Sequence, residues 1–357
     1  MFRWALVYVH RHFKKFPKVN YNEMTQISLP IKELEELCMD ALQLQGVMES
    51  DAREILDVLM YAELRGNNQG LVKIPLGGVL PRPDAAPIEM HDVATSVVHI
   101  NANGSAGIVT TLQATAEAAR RAQAHGIALV GTRNLSSSTG AIGFYAERLA
   151  KQGLVGIIMS GSPKAVAPAG GTKPIFGTNP IAISVPSAEA PITFDMSTAS
   201  IAWYGVIQAM QRGEQLPEGL AFDADGNPTT DPSETLRGAI KAFAAHKGSG
   251  LALMIEMLTG PLLGNALAGD EDVTTNWGNL VIAIDPEKFG DPDTFVSNVS
   301  KLVGLVRGSA PQSSSAEVLL PGERGNRESA SNRSSGTISV DKSLIEKLRS
   351  VTSAQNG

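Results

Sequence analysis

Residues 125–134 read HGIALVGTRN and residues 152–160 read QGLVGIIMS, and these two stretches decide the fold class. Both contain short apolar runs, which predict strands at residues 127–132 and 154–160. An Ala-rich helix is expected before the first strand, near residues 106–124, and a second helix between the strands, near residues 141–151. Helices that alternate with apolar strands in this way predict an α/β fold.

The pattern continues less regularly on either side of this segment. Further strands are predicted at residues 180–185, 192–196 and 280–284, with helices near residues 199–211, 233–245, 249–263 and 341–350. On the N-terminal side, apolar residues at helical spacing predict two helices joined as a hairpin, carried by Leu34, Leu37, Cys38 and Ala41 and by Ile55, Val58, Leu59 and Ala62. Residues 308–337 are rich in Ser, Gly, Asn and Arg and predict an extended surface segment. This order is too irregular for a simple doubly wound sheet.

Composition excludes several classes of protein. The chain has 357 residues, 43% of them apolar and 18% charged, which is typical of a globular protein with two or three structural units. Its formal net charge of −6 disfavours binding to nucleic acid, and we expect no membrane span because no uncharged apolar run is long enough. The lone Cys38 excludes an internal disulfide framework and favours a cytoplasmic location.

The N-terminal segment, residues 1–23, is basic, with Arg3, Arg11, Lys14, Lys15 and Lys18 against Glu23. A secretory signal is disfavoured because a long apolar region and a small-residue cleavage site are both missing. The excess of basic over acidic residues in this segment is compatible with an organelle-targeting peptide. We favour a disordered or non-native extension, with the folded part of the chain starting at Met24.

The common catalytic motifs are missing from the sequence. No Gly-x-Gly-x-x-Gly follows a predicted strand, and neither a P-loop, a Gly-x-Ser-x-Gly elbow nor a His-Glu-x-x-His motif occurs. The histidines do not pair at metal-ligand spacing on a credible helix, so no metal site is expected. Polar, glycine-rich loops remain at residues 66–73, 134–145, 162–180, 194–200 and 246–251. They are either ordinary tight turns or backbone amides that hold a pyrophosphate.

Taken in order, these segments resemble the type 2 malate/L-lactate dehydrogenase family, over about residues 27–350. The matching blocks are HGIALVGTRN, GFYAE, QGLVGIIMS, AVAPAGG, GTNP and FDMSTAS, followed by RGEQLPEGLAFDADGNPTTDP, KGSGLAL and PGE. The resemblance implies a mixed, non-Rossmann α/β fold with a helical N-terminal region, in an intertwined homodimer. It also implies hydride transfer between NAD or NADP and a small 2-hydroxy or 2-oxo acid, or a cyclic imine acid.

The resemblance further implies a division of the chain and a set of site residues. After the extension come a helical region with the first active-site loop (24–100), an α/β cofactor-binding domain (101–270) and a C-terminal part that packs back on the N-terminal region (271–357). The cofactor is expected to contact Ser138, Ser160, Asp195, Met196, Ser197, Lys247, Gly248, Pro321, Gly322 and Glu323. The small carboxylate substrate is expected to contact Asn68, Lys73, Ser138 and Thr178.

The chain departs from the family pattern at the catalytic positions. Where relatives read Ser-His-Gly-x-x-Arg, residues 68–73 read NQGLVK, so Gln69 replaces the acid histidine and Lys73 the arginine. A carboxamide donates a hydrogen bond but supplies no proton at neutral pH. The second histidine of the family is also missing, and residues 136–139 offer Ser and Thr instead. Those four residues either line the pocket or cap the next helix.

We therefore predict an oxidoreductase with altered proton supply. In this hypothesis Gln69 polarises the carbonyl or imine, Lys73 pairs with the carboxylate or gives a proton, and Asp195 orients Gln69 or takes part in proton transfer. The alternatives are a lyase or isomerase on the same scaffold, and an inactive ligand-binding homologue. Whether Arg324 and Arg327 select NADP is left open.

Overall fold

The computed structural model describes residues 26–270, 276–313 and 317–353, so the basic segment 1–23 lies outside the described residues. The strands are β1 (Gln26–Pro30), β2 (Glu89–Ala94), β3 (Val97–Asn101), β4 (Ile127–Arg133), β5 (Val155–Ser160), β6 (Val166–Ala167), β7 (Ile181–Val185), β8 (Ile192–Met196), β9 (Ala221–Phe222), β10 (Pro228–Thr229), β11 (Ala239–Lys241), β12 (Asn279–Ile284) and β13 (Thr337–Asp341).

The helices are α1 (Ile31–Leu44), α2 (Glu49–Glu63), α3 (Gly107–His125), α4 (Gly143–Ala150), α5 (Trp203–Gln211), α6 (Pro232–Arg237), α7 (His246–Thr259), α8 (Pro292–Arg307), α9 (Glu323–Ser335) and α10 (Lys342–Ser353). Short 3-10 turns lie at Leu71–Lys73, Pro261–Leu263 and Pro286–Lys288. The predicted α/β class and the N-terminal helical hairpin, α1 and α2, are confirmed. Within these residues, no helix combines the length and the apolar character that a bilayer crossing requires.

A seven-stranded mixed sheet forms the centre of the fold, in the order β2-β3-β4-β12-β5-β7-β8. Successive side chains of a strand point to opposite faces, and β4, β5 and β12 at the centre of the sheet carry buried residues on both faces, whereas the edge strand β2 is exposed. Ile158 and Val281 point into the core with α1, α2 and α3, whereas Met159 and Leu280 pack against Ile255 of α7. The apolar runs that predicted strands are therefore buried from both sides.

Strand directions bring four chain segments to one edge of this sheet. β3 runs parallel to β4, and β12 runs antiparallel to both β4 and β5, so β4 and β5 point the same way. β7 is antiparallel to β5 and β8 is antiparallel to β7, so β8 shares their direction. The loops that leave β3, β4, β5 and β8 consequently emerge at the same edge, where open α/β sheets bind ligands.

The first and the last elements of the described chain meet in a second layer. β1 pairs antiparallel with β13, and α10 packs on α1. A four-stranded sheet in the order β10-β9-β11-β6 lies beside α5 and α6. These contacts place the C-terminal segment next to the loop that follows α2.

The helix predicted at residues 233–245 is wrong in its second half. α6 ends at Arg237, and Gly238 follows where a Cβ atom would lie 2.1 Å from the carbonyl oxygen of Phe222. The chain then pairs as β11 with β9 and with β6. Pairing between distant segments thus overrides the local helical pattern.

The extended segment predicted at residues 308–337 is also wrong for its second half, because residues Glu323–Ser335 form α9. This Ser- and Asn-rich helix is held by tertiary contacts rather than by its composition: Asn326 accepts a hydrogen bond from Arg65, and Asn332 donates one to the carbonyl of Leu64. Ser329 is buried. Helices in proteins owe most of their stability to such packing.

Candidate active site

The first part of the site is the loop between α2 and residue 78, which we call the amide loop (residues 64–78). Asn67 Oδ1 accepts a hydrogen bond from the backbone N–H of Gln69 at 2.9 Å, and a single 3-10 turn follows at Leu71–Lys73. This local structure places the side chains of Gln69 and Lys73, four residues apart, next to one another.

Gln69 and Lys73 form a hydrogen-bonded pair. Lys73 Nζ donates to Gln69 Oε1 at 2.7 Å, and Gln69 Nε2 donates to Asn68 Oδ1 at 3.2 Å. Because the ammonium group of lysine has no acceptor, this contact fixes which end of the carboxamide faces Lys73. Gln69 Nε2 carries two hydrogens, so one remains for a further acceptor.

Lys73 is fully buried, with 0% of its surface exposed. Its Nζ atom lies 3.3 Å from the ring centroid of Tyr204, on α5. Burial lowers the pKa of Lys73 well below its usual value, because the charged form loses its hydration. Burial also raises the pKa of Tyr204 to about 12, so that phenol stays protonated at neutral pH.

The loop after β4 contacts the amide loop through Gly78. The N–H of Ser138 donates to the carbonyl of Gly78 at 2.8 Å, and the N–H of Gly78 donates to the carbonyl of Lys73 at 2.9 Å. A Cβ atom on Gly78 would lie only 2.6 Å from the hydroxyl of Tyr204. The structure thus brings Ser138, Lys73 and Tyr204 together around a glycine.

Asp195 lies at the end of β8, where Oδ2 accepts a hydrogen bond of 2.8 Å from the N–H of Gly143, at the start of α4. The residue is exposed at the surface, yet its carboxyl packs against the Gly143 backbone. The resulting loss of hydration raises the pKa of Asp195 to about 6, against the lowering effect of the Gly143 hydrogen bond. Lys73 and Asn68, rather than Asp195, make the side-chain hydrogen bonds to Gln69.

Several of the predicted cofactor residues follow one another along the edge of the sheet. Ser160 Oγ lies 3.5 Å from Thr139 Oγ1, and the N–H of Ser160 donates to the carbonyl of Pro180. The carbonyl of Thr178 accepts the hydroxyl of Ser197 at 3.0 Å. From there the N–H of Phe243 donates to the carbonyl of Thr198, which connects this line to the start of α7.

Lys247 and Gly248 occupy the first turn of α7. Lys247 is exposed, and a Cβ atom on Gly248 would lie 2.2 Å from the carbonyl oxygen of Phe243. Ala244 and Ala245 precede the helix with positive φ angles of 44° and 52°, a strained backbone that is typical of functional turns. The N–H groups of Lys247, Gly248 and Ser249 donate to the carbonyls of Ala244, Phe243 and Ala245. The exposed Lys247 cation is therefore the group of this turn that fits a phosphate of a dinucleotide.

Residues 321–323 lie against β8. Gly322 has a φ of 80°, and a Cβ atom there would lie 2.7 Å from the carbonyl oxygen of Thr193, two residues before Asp195. Glu323 accepts the N–H of Leu320 at 2.9 Å. Arg327, one of the residues considered for NADP selection, pairs with Glu317 and Glu323. Met196, the last residue of β8, is half-buried and pairs with Ile181 of β7.

Sequence reasoning missed three residues of this site. Tyr204 stacks on Lys73, Gly143 binds Asp195, and Glu63 accepts the N–H of Leu71 at 2.8 Å. Only Glu63 carries a local signal, as an acid next to the polar loop. The other two depend on contacts between segments that lie far apart in sequence.

Comparison with known proteins identifies the family. The model of the malate/L-lactate dehydrogenase family matches residues 29–349. A malate/(S)-sulfolactate dehydrogenase of Methanothermus fervidus is 37% identical over 339 residues, covering 91% of this chain and 97% of the relative. A Δ1-pyrroline-2-carboxylate/Δ1-piperideine-2-carboxylate reductase of Pseudomonas putida is 34% identical over 324 residues, covering 85% of this chain and 91% of the relative.

Solved structures confirm the fold. A dehydrogenase from Sinorhizobium meliloti superposes with a TM-score of 0.84 at 30% identity, covering 94% of this chain and 100% of the other. These relatives are named as dehydrogenases and reductases, and a further one, a ureidoglycolate dehydrogenase of Escherichia coli O157:H7 that is 31% identical over 306 residues and covers 81% of this chain and 86% of the relative, is named for NAD(+). The chain therefore belongs to the malate/L-lactate dehydrogenase family and is an NAD- or NADP-dependent oxidoreductase.

Proposed function

We propose that this enzyme transfers a hydride between NAD(P)H and a small 2-oxo acid or cyclic imine acid, with Gln69 taking the place of a protonating histidine. The observation that carries the proposal is the 2.7 Å hydrogen bond from Lys73 Nζ to Gln69 Oε1. It turns the amide nitrogen of Gln69 away from Lys73, where it can donate to the oxygen or nitrogen of the reacting double bond. Such a donor stabilises charge that develops during reduction.

Proton supply separates the two substrate classes. Reduction of a ketone to an alcohol needs a proton at oxygen, whereas an iminium ion accepts hydride and becomes an amine without one. Gln69 supplies no proton. The candidates among the described residues are Lys73, whose lowered pKa makes its ammonium a stronger acid, and Asp195, whose pKa is about 6. Lys73 is fully buried and Asp195 hydrogen-bonds Gly143, which favours the iminium substrate.

We assign the substrate carboxylate to the neighbourhood of Asn68, Ser138 and Thr178. Their amide and hydroxyl groups are the neutral donors that a carboxylate needs when no arginine fork is present. Lys73 was expected to bind this carboxylate, and its complete burial makes a supporting role for Gln69 the better assignment in this conformation.

The cofactor is proposed to lie along the sheet edge. Ser160 and Ser197 offer hydroxyls, Lys247 and the Gly248 turn would hold the pyrophosphate, and the turn at residues 321–323 would close the far side. When bound there, the nicotinamide supplies the hydride. The chain's own contribution is to hold the substrate's reacting atom beside it and to donate the Gln69 hydrogen bond.

The homodimer implied by the family resemblance is part of this proposal. α8 contributes no buried residue within the described chain, and two of its large apolar side chains, Leu302 and Leu305, are 61% and 66% exposed. An apolar helix face of this kind is typical of an interface with a second copy. We therefore propose that α8 is covered by the partner subunit.

A binding and turnover experiment tests the function. Saturable quenching or enhancement of fluorescence on titration with NADH or NADPH, followed by turnover of cyclic imine acids, is the expected result. A Gln69→His variant should raise turnover of 2-oxo acids relative to imine acids, because it restores a proton donor. Cofactor binding without turnover of either class, in both proteins, would favour a lyase, an isomerase or an inactive homologue; absence of binding would refute the oxidoreductase assignment at this site.

A further inference from the structure

Glu63 ends α2 and reaches across the amide loop. Its Oε2 atom accepts the N–H of Leu71 at 2.8 Å, so one carboxylate bridges the segment that contains Gln69. Gly70 passes so close that a Cβ atom there would lie 2.1 Å from the same oxygen. The N–H groups of Arg65, Gly66 and Asn67 tie the start of this segment to the end of α2, and the Glu63 side chain ties its far end, at Leu71, to the same place.

The surroundings of Glu63 are polar and reach solvent. The carboxyl lines a cavity of about 440 Å³ between the amide loop, α5, α9, β13 and α10. The charged groups that face this cavity with it are Arg212, which follows α5, Glu328 of α9, Asp341 of β13 and Lys347 of α10. Arg212 and Asp341 bind one another at 2.7 Å. On the opposite side, the buried thiol of Cys38 on α1 is near enough for Glu63 to raise its pKa.

We propose that Glu63 is a positioning residue, whose carboxylate holds the amide loop in the conformation that aims Gln69 and Lys73 at the substrate. It does not touch the substrate itself. The kinetic part of this inference rests on the function proposed above, whereas the structural part concerns the loop alone.

The strength of this hold depends on the charge of the carboxyl. A hydrogen bond to a carboxylate is about twice as strong as one to a neutral acceptor. The pKa of Glu63 is raised to about 7, mainly by burial and to a smaller extent by Asp341, against the lowering effects of the Leu71 hydrogen bond and Arg212. Above pH 7 the charged form holds Leu71, and below pH 7 protonation weakens the contact.

The kinetic test uses Glu63→Gln, which keeps an acceptor oxygen but removes the charge. We expect kcat of the variant to fall about tenfold at pH 8 and to lose the inflection near pH 7, as a charged acceptor is replaced by a neutral one. The Kd for NADH should stay within about twofold, because the proposed cofactor contacts lie on the sheet edge. Glu54→Gln, the same change on an exposed position of α2, is the matched control and should behave like the unmodified enzyme.

Hydrogen–deuterium exchange tests the loop without requiring turnover. At pH 8, peptides that cover residues 66–76 should exchange faster in Glu63→Gln than in the unmodified protein or in Glu54→Gln, after correction for intrinsic rates. Unchanged exchange would overturn the proposal even if activity falls. Faster exchange in a protein that turns over no oxo or imine acid would support the loop assignment and refute only the proposed function. An unchanged pH profile of kcat in an active enzyme would also overturn the proposal.

Discussion

Lys73 Nζ donates a 2.7 Å hydrogen bond to Gln69 Oε1 from a position with no solvent exposure. The pair therefore acts as one unit: Lys73 sets the direction of the Gln69 amide, whose nitrogen donates one hydrogen to Asn68 and keeps one for a further acceptor. Effects of residues that act as a unit are not additive. This relationship makes the first two predictions interdependent.

Gln69→Leu should lower kcat/KM by about 10² while leaving cofactor binding intact, since a lost donor to a developing charge costs this much. Steady-state kinetics with a cyclic imine acid, together with NADH titration, checks the expectation. The isosteric Gln69→Glu variant keeps the shape of the side chain but places a negative charge beside the atom on which negative charge develops. Its kcat/KM should fall at least as much as that of Gln69→Leu. Full activity of Gln69→Leu would remove Gln69 from the mechanism.

Lys73→Met should lower kcat/KM at least about tenfold, because the Gln69 amide is no longer held. The free energy of unfolding should change by less than about 1 kcal/mol, since loss of the hydrogen bond and relief of the buried amine oppose one another. Chemical denaturation and kinetics measure the two effects separately. In the Gln69→Leu background the same substitution should cost little further activity; an equal loss in both backgrounds would show that the residues act independently.

Asp195→Asn should change how stability depends on pH. The folded pKa of Asp195, about 6, lies above its ordinary value of 3.8, so its contribution to stability is fully present below pH 3.8 and is lost as pH rises through 6. The amide of the variant would keep an acceptor for the Gly143 N–H without this loss. The free energy of unfolding of the variant, minus that of the unmodified protein, should therefore rise between pH 4 and pH 6 and then level off. A constant difference across that range would contradict a raised pKa.

Gly322→Ala should weaken cofactor binding. Its φ of 80° and the carbonyl of Thr193 at 2.7 Å from the new Cβ both oppose a side chain. Gly336→Ala is the matched control, because Gly336 has a φ of 69° with no atom within 4 Å of its Cβ position. Both variants should lose about 1–2 kcal/mol of stability from backbone strain. Only Gly322→Ala should raise the Kd for NADH, and equal Kd values would remove residues 321–323 from the cofactor site.

Replacing both Leu302 and Leu305 with Glu should convert a dimer into monomers, because charges would then occupy the apolar face of α8. Light scattering after gel filtration measures the mass. The paired control, Ser297→Glu with Asn298→Glu, adds the same charge at exposed polar positions of α8 and should leave the dimer intact. A monomeric unmodified protein, or a dimer that survives the Leu substitutions, would contradict the assignment of α8.

The sequence predicts the parts of this molecule that depend on local patterns. β4 and β5 follow from apolar runs, and α1 and α2 follow from helical spacing, because burial of one face leaves a period in the residues themselves. α9 was missed for the opposite reason: its Ser and Asn residues favour no helix alone, and its contacts to Arg65 and Leu64 come from residues about 260 positions away.

The candidate site also has a part that the sequence predicts and a part that only the folded structure shows. Gln69 and Lys73 were selected because the family resemblance places them at the positions of the acid histidine and the arginine, and their contact agrees with their spacing of four residues. The complete burial of Lys73 and its stacking on Tyr204 were not predictable, because Tyr204 lies on α5, which only the folded chain brings to this place. Likewise, no spacing in sequence relates Asp195 to Gly143.

The common direction of β4, β5 and β8 has a consequence for how this enzyme diversifies. The proposed cofactor contacts start from the rigid edge of the central sheet, whereas the amide loop starts from α2 and is tied back to it by Glu63. The two halves of the site therefore start from different elements and meet where the N–H of Ser138 donates to the carbonyl of Gly78. Residues such as Gln69 can be exchanged for a new substrate without disturbing the platform that binds the nicotinamide, so the chemistry of the pocket is free to drift while the redox partner stays the same.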